Sequence, residues 1–131
     1  MLICHNMVEN SKKILIVEDD IHVSKVFQVQ LEKIGFIVIL ASDGEEATLI
    51  LEKEKPDLVI LDLMIPKKDG FDVIKEIRAN ALFLKTPVII LSNLGQETDK
   101  TRALELGATE YLVKIDYPIQ EIIDKVKAYL K

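Results

Sequence analysis

From Lys13 onward, two kinds of segment alternate along the chain. Ile14 to Val17, Phe36 to Leu40, Leu58 to Leu61, Val88 to Leu91 and Tyr111 to Val113 are short, rich in β-branched residues and almost free of polar ones, which predicts five strands. Strands apolar on both faces suit a parallel sheet covered on both sides, because a half-solvated sheet would alternate apolar with polar positions.

The intervening segments have helical spacing. The last is the clearest, with Ile119, Ile122, Ile123, Val126 and Leu130 on one face and Glu121, Asp124, Lys125 and Lys127 left to water. Val23, Val26, Phe27, Leu31 and Ile34 form a similar stripe in the first, which Gly35 ends. Ser42-Asp43-Gly44-Glu45 reads as a capping box for a second helix running through Ala47, Ile50 and Leu51 toward Pro56. A third is predicted over Phe71 to Ala79, with Val73, Ile74 and Ile77 inward. A fourth runs from about Gln96 to Leu106, with a thin apolar stripe and Gly107 as its stop. The order βαβαβαβαβα with short connections predicts a doubly wound α/β domain with right-handed crossovers and helices on both faces.

Composition narrows the possible functions. A chain of 131 residues has room for one core, so residues 12–131 are expected to form one domain behind a poorly ordered extension, 1–11. Apolar residues at 49% and charged residues at 30% describe an ordered protein. The net charge of −5 argues against direct binding to nucleic acid or to an anionic membrane. Cys4 is the single cysteine, which excludes an internal disulfide and fits a reducing, cytoplasmic setting. No apolar run is long enough to cross a bilayer, and the first eleven residues lack the apolar stretch of a secretion signal. Met7 is a possible alternative start.

In open α/β sheets, functional groups gather at the carboxyl ends of the strands. Here those ends carry Glu18, Asp19 and Asp20, then Asp62, then Ser92 and Asn93, then Lys114. Clustered carboxylates repel one another unless a cation joins them, and oxygen-only ligands favour Mg²⁺. Asp62, at a strand end in the middle of the sheet, is the candidate nucleophile toward phosphorus. Lys114 and Ser92 are the candidate partners of the phosphoryl oxygens. Each residue has a plainer alternative. Asp20 reads better as a helix cap, Asp62 alone would be an ordinary strand-end aspartate, and Lys114 alone a solvated lysine. Tyr111 alone would be a half-buried strand aromatic. His5 and His22 are isolated, and neither has a ligand's neighbours.

Four motifs in register, ILIVEDD, DLVILDLMIPKKDG, PVIILSN and GATEYLVK, resemble those of the response regulator receiver domain from Lys13 to the C-terminus. The resemblance implies a flavodoxin-like (βα)5 sheet in the order 2-1-3-4-5. It implies phosphorylation of Asp62 by a histidine kinase or histidine phosphotransfer protein, with Mg²⁺ required. By the family pattern Asp19 is a direct metal ligand, Glu18 acts partly through water, Asp62 joins them and Met64 contributes its backbone carbonyl. Ser92 matches the switch hydroxyl, Tyr111 the switch aromatic that moves inward, and Lys114 the phosphoryl-binding lysine. The domain is then a regulatory phosphoacceptor rather than an enzyme, and it assists its own phosphorylation and dephosphorylation. It is expected to stand alone and to signal to a protein target through the fourth helix, fifth strand and fifth helix.

Three departures from the pattern carry expectations. Ile115 stands where many receivers have proline, and a non-proline cis bond costs about 3 kcal/mol, so Lys114-Ile115 is expected to be trans. Asn93 follows the switch hydroxyl in place of a smaller residue. Met64 and Leu94 are apolar and cannot orient water, which predicts slow loss of the phosphoryl group. Two rival readings remain. A phosphohydrolase of the haloacid dehalogenase type needs a second aspartate where this chain has Met64. The other rival is an interaction module that is never phosphorylated.

Overall fold

The computed structural model describes residues 11–130, so Cys4, His5, Met7 and nearly all of the expected 1–11 extension lie outside the described residues. The elements follow in strict alternation: β1 (Lys13–Val17), α1 (Ile21–Lys33), β2 (Ile37–Ala41), α2 (Gly44–Glu54), β3 (Leu58–Leu61), α3 (Gly70–Ala79), β4 (Val88–Ser92), α4 (Glu97–Leu106), β5 (Glu110–Val113) and α5 (Ile119–Tyr129). Short 3₁₀ turns at Ala81–Phe83 and Lys114–Asp116 follow α3 and β5. All five strands are parallel, in the order β2-β1-β3-β4-β5.

Strand alternation divides the core into two layers. Leu15, Val17, Val59, Leu61 and Ile90 pack beneath α2, α3 and α4 with Leu51, Ile74, Ile77 and Ala103. Their neighbours Ile14, Ile16, Ile60, Ile89 and Leu91 point the other way, against Phe27, Leu31, Ile122, Ile123 and Val126 of α1 and α5. This two-sided burial is what the uninterrupted apolar strands predict. Ile37 is 42% exposed because β2 is an edge strand.

Two local expectations need correction. The capping box of α2 is one residue further on: the Asp43 carboxylate accepts the Glu46 N–H at 2.8 Å, and Glu46 accepts the Ser42 N–H at 2.6 Å. Asp43 takes the cap because its backbone is extended (φ −153°) while Gly44 is already helical. In α1 the buried stripe is Ser24, Phe27 and Leu31, while Val26 and Ile34 are exposed. A helix meeting the sheet along a single line buries a narrower stripe than its apolar residues suggest. Elsewhere the signals hold. Asp20 caps α1 by accepting the His22 N–H at 2.9 Å, and Gly107 closes α4 with φ +117°.

α4 is held unequally at its two ends. At its C-terminal end Arg78 of α3 donates from Nε to the Gly107 carbonyl at 2.8 Å, and from Nη1 to the Phe83 carbonyl at 2.6 Å. At its N-terminal end Gln96 makes no side-chain cap bond. No helix among the described residues is long and apolar enough to cross a membrane.

Candidate functional site

Strand register assembles the site. Val17 lies opposite Leu61, so the next residues, Glu18 and Asp62, leave adjacent strands at the same level. Ser92 lies opposite Val113, which brings Lys114 in from the other side. Glu18 and Asp62 are buried at 6% and 8% exposure, whereas Asp19 is exposed. Carboxylate oxygens of Glu18, Asp19 and Asp62 all lie within 4.8 Å of one another.

Lys114 enters this cluster directly. Its Nζ donates to Glu18 Oε1 and, at 3.1 Å, to Asp62 Oδ2. Three carboxylates facing one ammonium leave the cluster net negative, which is the condition a divalent cation relieves. Burial, opposed by the Lys114 hydrogen bond and reinforced by repulsion from Asp62, pushes Glu18 up to about 7. Burial works against the Lys114 ammonium, yet its hydrogen bond to Glu18 and the attraction of Asp62 outweigh that and raise its pKa. The other oxygen of Asp62, Oδ1, accepts the Met64 N–H at 3.0 Å, so the loop after β3 orients the carboxylate. Sequence reading missed this bond, because it depends on how the loop turns and not on the Met64 side chain, which is 60% exposed.

Ser92 is fully buried, and its Oγ accepts the Leu94 N–H at 3.4 Å. The Tyr111 ring is buried too, with its hydroxyl donating to the Leu94 carbonyl. In this structure the ring packs inward, against the α2–α4 layer. Burial, then the nearby Asp99 and Asp62 charges, raise the pKa of its phenol. Ile115 is 86% exposed on the turn after β5, and no cis peptide bond occurs among the described residues, as expected for Lys114-Ile115.

The family model described as the response regulator receiver domain matches residues 14–127. The chain belongs to this family. A receiver domain is a regulatory phosphoacceptor switch of two-component signalling, and receivers bind Mg²⁺ at an acidic pocket; this chain has an acidic cluster of Glu18, Asp19 and Asp62. Curated relatives include the alkaline phosphatase synthesis transcriptional regulatory protein PhoP of Bacillus subtilis, 45% identical over 92% of this chain and 49% of that protein. The probable transcriptional regulator ycf27 of Guillardia theta is 42% identical over 95% of this chain and 47% of its own length. The chain thus spans about half the length of the curated relatives it matches. Among solved structures, the BeF3-activated N-terminal receiver domain of Klebsiella pneumoniae RstA superimposes with a TM-score of 0.83 at 31% identity, covering 91% of this chain and 98% of that one.

Proposed function

We propose that Asp62 of this receiver accepts a phosphoryl group from a phosphohistidine on a histidine kinase or histidine phosphotransfer protein. A carboxylate oxygen of Asp62 attacks phosphorus, an acyl phosphate P–O bond forms, the P–N bond breaks, and the imidazole leaves with a proton. The support for this reading is the shared position of Asp62: one oxygen lies 3.1 Å from the Lys114 ammonium, and the carboxylate sits within 4.8 Å of the other two acids.

Glu18, Asp19, Asp62 and the backbone carbonyl of Met64 form the oxygen-only donor set that would hold Mg²⁺. When bound, the ion neutralises charge on the transferring group. Lys114 exchanges a carboxylate partner for a phosphoryl oxygen, and the Ser92 hydroxyl donates to another. Because Ser92 and Tyr111 both bond to Leu94, drawing Ser92 toward the phosphoryl group disturbs the hold of Tyr111 on the loop before α4. The α4–β5–α5 face is then the surface that a protein target reads.

Incubation with Mg²⁺ and acetyl phosphate is expected to add one phosphoryl group by intact mass, and Asp62→Asn to abolish it. Retention of the adduct in Asp62→Asn would refute the assignment. With Met64 exposed and apolar and Leu94 apolar, the adduct is expected to persist for minutes once acetyl phosphate is removed. Decay within seconds would contradict that.

A further inference from the structure

The loop from β3 to α3 carries Met64, whose N–H holds Asp62, and it is tied down by residues remote from the acidic cluster. Leu63 and Ile65 anchor it by burial at 3% and 8% exposure. Beyond them the backbone turns through Lys67, at φ +70°, and presses against the start of α2. The Gly44 N–H donates to the Pro66 carbonyl at 3.2 Å, and a Cβ on Gly44 would lie 2.1 Å from the Lys68 carbonyl oxygen.

Lys68 then links three elements. Its Nζ donates to Thr48 Oγ1 of α2 at 2.9 Å and pairs with Glu76 of α3 at 2.7 Å. Thr48 Oγ1 in turn lies 3.2 Å from Glu76 Oε1. Beyond this tie α2 and α3 separate around a cleft of about 470 Å³ lined by Thr48, Leu51, Glu76, Ile77 and Phe83 among others. The cleft lies toward the C-terminal ends of the two helices, whereas at the loop end Gly44 abuts the Lys68 backbone and the Lys68 side chain ties both helices to the loop.

We propose that Lys68, held by Thr48 and Glu76, is a positioning residue for the metal and phosphoryl site: it fixes the β3–α3 loop and, through it, the Met64 backbone and the Asp62 carboxylate. This rests on the reading of the acidic cluster as a Mg²⁺ site. Partners of this kind act on a ligand by narrowing where it can point, without touching the ion.

Charge and positioning predict opposite signs for one of two substitutions. By long-range charge alone, Lys68→Met removes a positive charge and tightens cation binding, while Glu76→Gln loosens it. If Lys68 positions the loop, both substitutions loosen it. The test is the Mg²⁺ dissociation constant by titration calorimetry for the wild type, Lys68→Met, Glu76→Gln and Lys68→Arg. Lys68→Met and Glu76→Gln are each expected to bind Mg²⁺ about tenfold more weakly, the lower end of what losing an outer-shell partner costs. Lys68→Arg, which can still span Thr48 and Glu76, is expected to stay near wild type. If Lys68→Met fails to fold, Thr48→Val, which removes one partner of Lys68 without changing any charge, carries the test: weaker Mg²⁺ binding supports the proposal and wild-type binding overturns it. Wild-type affinity in the variants, with only a lower melting temperature, would overturn the proposal and leave Lys68 a structural residue. A wild-type protein that binds no Mg²⁺ would overturn the reading of the site itself, and the proposal with it.

Discussion

Lys114→Met is expected to cost the metal-free protein about 3 kcal/mol of folding stability at pH 8, and much less when Mg²⁺ is added. The lysine bridges Glu18 and Asp62, whose side chains are only 5% and 10% exposed. Methionine fills much the same volume but leaves two buried carboxylates facing each other. Losing one partner of a buried pair is expensive mainly because the other charge stays behind, desolvated. A divalent cation supplies the missing positive charge, so Mg²⁺ should restore most of the loss and bind the variant more tightly than the wild type. Lowering the pH to 5.5 should also help, since a protonated Glu18 no longer repels Asp62. Urea unfolding at both pH values, with chelator and with Mg²⁺, checks this. An equal loss under every condition would mean that the lysine stem contributes through packing alone.

Glu18→Gln should act in the opposite direction and stabilise the metal-free protein at pH 8. Folding raises the Glu18 pKa from 4.5 to about 7, so across that window the folded state binds more protons than the unfolded one. Wild-type stability therefore falls as the pH rises from about 4.5 to about 7 and stays low above it. Glutamine keeps the shape, can still accept from Lys114 and carries no charge to desolvate. Its advantage should vanish near pH 4 and reach the order of 3 kcal/mol above pH 7. Mg²⁺ should reverse the order of the two proteins, because only the wild type offers the third carboxylate. A Glu18→Gln variant less stable than wild type at pH 8 in chelator would show that the Lys114 bond outweighs desolvation.

The strands were legible because both faces are buried, so Ile14 to Val17 or Val88 to Leu91 read as apolar runs that tolerate no competing period. The site residues were legible by address. Glu18, Asp62, Ser92 and Lys114 each follow a strand or end one, and a parallel sheet gathers such positions at one edge. Which atoms meet was not legible. Lys114 between Glu18 and Asp62, and Tyr111 already inside, depend on strand register and on the path of the loop after β4. Ser24 on the buried face of α1 was missed because a hydroxyl reads as polar, yet it satisfies itself on the Ile21 carbonyl at 3.2 Å. Lys68 was missed because a lysine in a polar loop gives no pattern, and its partners lie 20 and 8 residues away in sequence.

The unequal hold on α4 has a mechanical consequence. Arg78 pins the end at Gly107, while the end nearest Ser92 meets the sheet through a loop that Tyr111 grips at a single carbonyl. A ten-residue helix of about 15 Å fastened in this way is a lever. A shift of Leu94 is then expected to tilt α4 about its buried half, where Ala103 sits in the core and Arg102 stacks on Phe71, with the larger excursion beside the site.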